Sequence, residues 1–304
     1  MNQKTLRKEF RVTGMGLHTG RTVTVTVRPA HVDFGIAFRR TDRFNIVTVP
    51  AVATQVSETS RGTTIGTGRH KIATIEHLMS ALHGSGVDNA LIELDGGEVP
   101  ILDGSARPWL QQIVRVGTRE QDAPRNVFVF SESLRFENRS TGSVFAVEPA
   151  DSFSVDCVID FPQSVIGRQE ARMADFSQYE SEISMCRTFV FLHEIEPLLH
   201  LNLIKGGSLD NALVFVNKEL GARQLRRLER IFRKDASLIR VHDGVLNTTD
   251  PYFPNEPARH KLLDFVGDVR LVGMPLQGHF TIYKPGHKAN AEFSKYLIDY
   301  IHNK

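Results

Sequence analysis

Histidines and carboxylates at helical spacing give the first suggestion of chemistry in this sequence. The stretch Arg259–Asp268 reads RHKLLDFVGD. Folded as a helix, it puts His260 and Asp264 one turn apart on one face, and Asp268 a further turn along. Two side chains so placed reach a single metal ion. Leu262, Leu263, Phe265 and Val266 interleave with them, which is unlike an ordinary surface stripe, although a solvent-facing stripe gives the same HxxxD spacing. A second histidine, His77, sits in the apolar segment TIEHLMSALH (74–83) beside Glu76. Alone it reads as a satisfied core or surface residue. Catalytic zinc, however, takes three protein ligands of nitrogen and oxygen type and keeps one position open. His77, His260 and Asp264 supply such a set. Glu76 is then a non-ligating carboxylate near the metal, as a general base for water requires. No HExxH motif is present, so this is not an ordinary metalloprotease helix.

Two further groups have fitting chemistry. His287 follows Pro285-Gly286 in a loop, where functional residues concentrate, and its ring can protonate a leaving amine. The alternative is a turn histidine without a role. Thr188, in Arg187-Thr188-Phe189, offers a hydroxyl to a developing oxyanion, and Phe189 offers a stacking face. Gly206-Gly207 reads as a turn.

These residues need elements to position them. Thr22 to Arg28 (TVTVTVR) alternates a Val face with a Thr face, the period of a half-buried strand. Residues 36–40, 46–49 and 90–94 are further strand candidates. Residues 74–83 and 108–116 read as helices, with Pro108 suited to a first turn. The polar stretch 117–126 (GTREQDAPRN) is the natural domain boundary, dividing a unit of residues 1–120 from one of 126–304. Strands then restart with VFVF, SVFAVEP and SVDCVIDF, followed by helices near 175–184, 257–270 and 290–301. Strands followed by a helix pair, twice over, indicate two α+β domains of similar plan. Residues 218–234 form a basic helical stretch, read as a solvated surface; docking of an acidic partner is the minority reading.

Composition excludes several classes. The 304 residues carry a net charge of +2, without the strong basic bias of a nucleic-acid binder. Two isolated cysteines, Cys157 and Cys186, make neither a disulfide framework nor a CxxC zinc site and favour a reducing compartment. The N-terminus lacks the apolar core of a secretory signal, and no apolar run approaches the roughly 20 residues of a membrane span. A cytoplasmic protein, without stable membrane insertion and monomeric, is expected.

Taken together, the stretches GMGLHTG (14–20), IEHLMSALHGSGVDNALIEL (75–94), EVPILDGSARP (98–108), VIDF (158–161), RTFVFLHEIE (187–196), GGSLDNALV (206–214), RHKLLDFVGD (259–268) and Gly286-His287 closely resemble one family. It is the UDP-3-O-acyl-N-acetylglucosamine deacetylases, which catalyse the committed step of lipid A synthesis in Gram-negative bacteria. The resemblance implies two α+β domains, each layering small sheets against a helix pair, with the active site between them. It places the zinc ligands on His77, His260 and Asp264, the base on Glu76 and the acid on His287. Asp268 matches the carboxylate orienting that histidine, and Thr188 the oxyanion donor. Phe189 matches an aromatic near the glucosamine ring, and Lys261 a cation near the diphosphate. Asp160 and Phe161 resemble the uridine contacts. Leu192, Ile195, Ile204, Leu209 and Val214 would line the acyl passage, with Gly207 as a further substrate contact. Lys205 stands where an apolar residue is more usual, which leaves the acyl length open. Some relatives carry a fused acyl-carrier-protein dehydratase; nothing here matches that domain, so no dual activity is expected. Iron(II) suits the same two-histidine, one-carboxylate set as zinc. A silent zinc-stabilised scaffold and an amidohydrolase acting on another nucleotide-sugar or a peptide are the competing readings.

Overall fold

A computed structural model describes residues 1–195, 205–218, 220, 221, 223, 224, 226, 228, 229, 240–242, 244–247 and 249–304. Its two halves are built to one plan. In the first, the strands Phe10–Met15, Thr22–Pro29, Ala90–Leu94, Ile36–Arg40 and Thr48–Pro50 lie side by side in that order. The late strand Ala90–Leu94 enters the middle. It runs antiparallel to Thr22–Pro29, with Val27 opposite Ile92, and parallel to Ile36–Arg40, with Phe38 opposite Ile92. In the second half the order is Leu134–Asn138, Ser143–Glu148, Leu276–Tyr283, Phe153–Phe161 and Gly167–Met173. Again the late strand takes the centre. It is antiparallel to Ser143–Glu148 and parallel to Phe153–Phe161, with Phe280 opposite both Val147 and Val155.

In each half a helix precedes the central strand and another follows it. These are Glu76–Gly84 and Arg107–Val116 in the first, Glu256–Val269 and His287–His302 in the second. The alternation read from the sequence explains the layering: Val23, Val25 and Val27 are buried while the intervening threonines are not. The two halves share one apolar core, containing Phe38 and Trp109 from one and Phe145, Phe265, Phe280 and Phe293 from the other.

The helices Glu76–Gly84 and Glu256–Val269 pack against each other through the middle of the molecule. Ser80 Oγ donates to the Leu263 carbonyl at 2.9 Å, and His83 Nδ1 lies 2.8 Å from that of Val266. Gly267 permits the contact. A Cβ there would stand 2.2 Å from the Glu76 carbonyl oxygen, inside any tolerable separation.

A smaller four-stranded sheet, Phe189–Phe191, Leu213–Phe215, Val245–Asn247 and Arg240–His242, is inserted before the second central helix. Ile195, Leu209, Val214, Val216, Leu228 and Leu246 form a separate apolar cluster with it.

Three local expectations change. Residues expected as a polar connection form the strand Thr118–Pro124, antiparallel to Asn2–Leu6. This ribbon is half exposed, and its polar composition does not distinguish it from a loop. The segment expected as a helix at 175–184 is a 3₁₀ turn, Phe176–Gln178, capped by Asp175, followed by a π-helical turn, Tyr179–Ile183. The last helix begins at His287, three residues early, so this histidine belongs to a first turn and not to a loop. Most of the basic stretch 218–234 lies outside the described residues. No helix among the described residues is long and apolar enough to cross a membrane.

Candidate metal centre and active site

The two central helices bring His77, His260 and Asp264 together, with one potential ligand atom from each within 4.8 Å of the others. All three are buried. The Nε2 atoms of His260 and His77 stand 3.4 and 3.6 Å from Asp264 Oδ1. These separations are mostly longer than a good hydrogen bond. They match the roughly 3.3–3.6 Å expected between ligands held about 2.0–2.2 Å from a tetrahedral zinc. Asp264 Oδ1 is buried without a hydrogen-bond partner, which a cation would supply. His260 Nδ1 lies 3.0 Å from the Cys186 carbonyl, and a proton held there leaves Nε2 free as a ligand. The donor set fits a small divalent metal.

The charges agree with that reading. Burial pushes the His260 pKa down to about 3, so its ring is neutral and able to ligate. Burial opposes ionisation of Asp264, but the charges of His260, Lys261 and His287 outweigh it and hold the carboxyl well below the usual range. With His260 neutral near pH 7, the standing counter-charges are Lys261 Nζ, 2.8 Å from Oδ2, and His287 Nε2, 3.8 Å from Oδ2.

Around this centre stand the other chemically active residues. Glu76 begins its helix and is buried, with Oε2 accepting a hydrogen bond from the Thr63 amide at 2.9 Å. Burial raises its pKa, and the charges of His287 and His77 pull it back. His287 Nδ1 is 3.2 Å from Asp268 Oδ2. Asp268 also accepts from Thr63 Oγ1 at 2.6 Å and Asn290 Nδ2 at 2.9 Å. Burial alone would lower the His287 pKa. The charge of Asp264, the hydrogen bond to Asp268 and the charges of Glu76 and Asp268 outweigh that and raise it to about 9.

Both chemical segments are entered through a strained residue. Thr74, at φ +60°, precedes Glu76 and His77; Lys284, at φ +52°, precedes His287. Left-handed backbone at non-glycine residues is costly and gathers at functional sites.

A cavity opens beside the metal centre. Its walls are Leu17, His18 and Arg61 from the first half; Thr188, Phe189, Val190, Glu194, Ile195, Gly207, Ser208, Ala212 and Val214 from the insert; and Lys261 and His287 from the second half. Thr188, Phe189, Ile195, Gly207, Val214 and Lys261 are therefore brought together as a wall. Lys261 Nζ also lies 5.4 Å from the centre of the Phe189 ring. Leu209 and Leu192 sit in the apolar cluster behind this wall. Phe161 packs edge-on against Phe189, while Asp160 is held by Tyr283 Oη at 3.0 Å and Lys284 Nζ at 3.2 Å. Ile204 lies outside the described residues. Lys205 is exposed and not part of the cavity wall.

Comparison with known proteins agrees with the geometry. The family model of the UDP-3-O-acyl N-acetylglycosamine deacetylases matches residues 3–234 and 231–299. The chain belongs to this family. It is 40% identical over 291 residues to a UDP-3-O-acyl-N-acetylglucosamine deacetylase of Myxococcus xanthus, covering 95% of this chain and 84% of that one. A deacetylase of Teredinibacter turnerae is 39% identical over 301 residues, covering 98% and 90%. The chain is also 40% identical over 302 residues to the bifunctional enzyme LpxC/FabZ of Chlorobaculum tepidum, covering 99% of this chain but only 65% of that protein's length. This is a metalloenzyme family, and the buried triad is where a metal fits.

Several members of the site had no signal in the sequence. Thr63 ties Glu76 to Asp268 through its amide and its hydroxyl, yet a threonine in a Gly-Thr-Thr run has no distinctive spacing. Asn290 was legible only as one position of a helix. Glu98 accepts from the amides of His18 and Thr19 and so shapes the cavity's far wall. The motif Gly206-Gly207 has a steric reason: a Cβ on Gly206 would lie 2.3 Å from the Gly16 carbonyl.

Proposed function

We propose that this chain removes the N-acetyl group of UDP-3-O-acyl-N-acetylglucosamine, giving the free glucosamine amine and acetate, the committed step of lipid A synthesis. The observation that carries the reading is a buried two-histidine, one-carboxylate cluster flanked by Glu76 and His287, opening onto a cavity with an apolar wall. The ligands are His77, His260 and Asp264, and zinc is the proposed ion, with iron(II) suited to the same set. The ion supplies Lewis-acid activation of water and of the acetamide carbonyl.

The protein groups do the rest. Glu76 takes the proton of the attacking water, a task helped by burial, which raises its carboxyl pKa above the usual value. The Thr188 hydroxyl donates to the developing oxyanion. The amine is a poor leaving group until protonated, and His287, held cationic, supplies the proton. Asp268 acts through His287 and is a positioning residue. Phe189 offers its face to the sugar ring, Lys261 neutralises phosphate charge, and Asp160 with Phe161 contacts the uridine. Ile195 and Val214 line the acyl passage, backed by Leu192 and Leu209, with Gly207 as a further substrate contact. The protein works in the cytoplasm as a monomer, divided near residues 117–126 into units of 1–120 and 126–304.

Acetate release from the acylated UDP-sugar tests this directly. Turnover that stops with a chelator and returns with zinc is expected. Release that a chelator leaves untouched overturns the metal reading, and no release from this substrate overturns the deacetylase reading.

A further inference from the structure

We propose a second ligand site, for a small oxyanion, in the cavity under Arg270. This cavity is separate from the one beside the metal and has a volume of about 180 Å³. Gln3, Asp88, Asn89, Arg125, Asn126 and Arg270 are among its walls. Arg270 is only 3% exposed, and its Nε has no hydrogen-bond partner. Among the described residues no carboxylate comes within ion-pairing distance of its guanidinium. A buried guanidinium with no acceptor in contact is unfavourable, and an arginine fork matches a carboxylate or phosphate.

The acidic neighbours are already engaged. Asp88 Oδ1 accepts from Arg125 Nε at 2.8 Å, and Oδ2 accepts from the Lys4 amide at 2.9 Å. Asp33 accepts from Gln3 Nε2 at 2.6 Å. Arg270 is thus the group left without an acceptor, with Arg125 and Asn126 at hand as further donors. Burial lowers the Arg270 pKa to about 10, with the charge of Arg125 acting in the same direction and that of Asp88 against it, so it stays charged near pH 7. The cavity exceeds several times the roughly 30 Å³ share of one water molecule, leaving room for an ion the size of phosphate.

Inorganic phosphate and acetate are the probes, titrated into the full chain at constant ionic strength against chloride. The melting temperature and the heat of binding are read together. The titration is run on metal-stripped protein as well, because either anion can also bind a metal. Saturable stabilisation by one or both anions, kept after metal removal and reduced at least tenfold in affinity in Arg270→Met, is expected. The stronger of the two probes distinguishes a phosphate from a carboxylate site. Binding that disappears with the metal, or is equal in Arg270→Met, overturns the proposal. Should that variant fail to fold, a crystal of the unaltered protein soaked in selenate gives the answer. An anomalous peak at the guanidinium supports the site, and water alone in the cavity refutes it. No substrate is involved, so the outcome is independent of the deacetylase reading.

Discussion

The two halves share a sheet order, a central late strand and a helix before and after it, yet they use equivalent positions differently. Both central helices begin with a buried glutamate. In the first half Glu76 faces the metal centre and holds one backbone amide, that of Thr63. In the second, Glu256 is wholly buried in structural contacts. It accepts from the amide and Nε of Arg187, both at 2.9 Å, and from the amide of Tyr252 at 2.6 Å. The second helices differ as well. Arg107–Val116 covers the core with Trp109, Leu110 and Ile113, whereas His287–His302 presents His287 at its start. Architecture alone therefore does not place the chemistry. It depends on which side of a repeated frame faces the cavity between the halves.

Exchanging the two glutamates for glutamine should separate these roles most strongly. Glu76→Gln should lower turnover by roughly 10²–10⁴-fold, the range for loss of a general base, with folding and metal content kept. Glu256→Gln should instead cost on the order of 3 kcal/mol of stability, because it strips the counter-charge from the buried Arg187. Turnover and thermal unfolding, measured on both variants, decide it. The distinction collapses if Glu76→Gln stays within tenfold of the parent rate, or if Glu256→Gln unfolds at the parent temperature.

The next largest effect should come from the seam. Gly267→Ala puts a methyl group 2.2 Å from the Glu76 carbonyl, and backbone cannot yield as a side-chain tip does. Overpacking of this kind costs about 1–3 kcal/mol. The strain falls between the helix carrying His77 and the one carrying His260 and Asp264, so metal affinity should fall with stability. An equivalent change at Gly286, where nothing lies within 4 Å of an added Cβ, should leave metal affinity unaltered. Metal titration of the two variants makes the comparison, and equal affinities would remove the seam from the account.

How much of this was readable beforehand depends on range. The HxxxD pair is local, and helical spacing places both residues on one face; His260 and Asp264 do stand one turn apart. His77 became meaningful only beside a helix about 180 residues later, and no local period signals that pairing. The family resemblance supplied it. The close approach at Gly267 was invisible for the same reason, since a lone glycine in a helix reads as a mild defect. Thr63 acts through two hydrogen bonds and Asn290 through one, with no sequence pattern of their own. The ribbon of residues 118–124 reads as a linker because an exposed strand carries polar residues as a loop does.

The smallest effect concerns the histidine that only the second half provides. Asp268 raises the His287 pKa by charge and hydrogen bond, Asp264 raises it by charge, and burial opposes both. A metal ion on Asp264 offsets that residue's charge and leaves Asp268 the stronger remaining support. If protonated His287 is the acid, turnover holds while the ring keeps its proton and falls as pH rises through its pKa, which a metal on Asp264 sets below the about 9 of the metal-free site. Asp268→Asn withdraws the charge, so the proton leaves at lower pH and the alkaline limb should move down. The loss at pH 7 should be about tenfold or less, because the amide that replaces the carboxylate can still hydrogen-bond the ring. A merely structural role for Asp268 would lower the whole profile without moving its limb. A pH series of kcat/KM on folded variant therefore tells positioning of the acid from support of the fold.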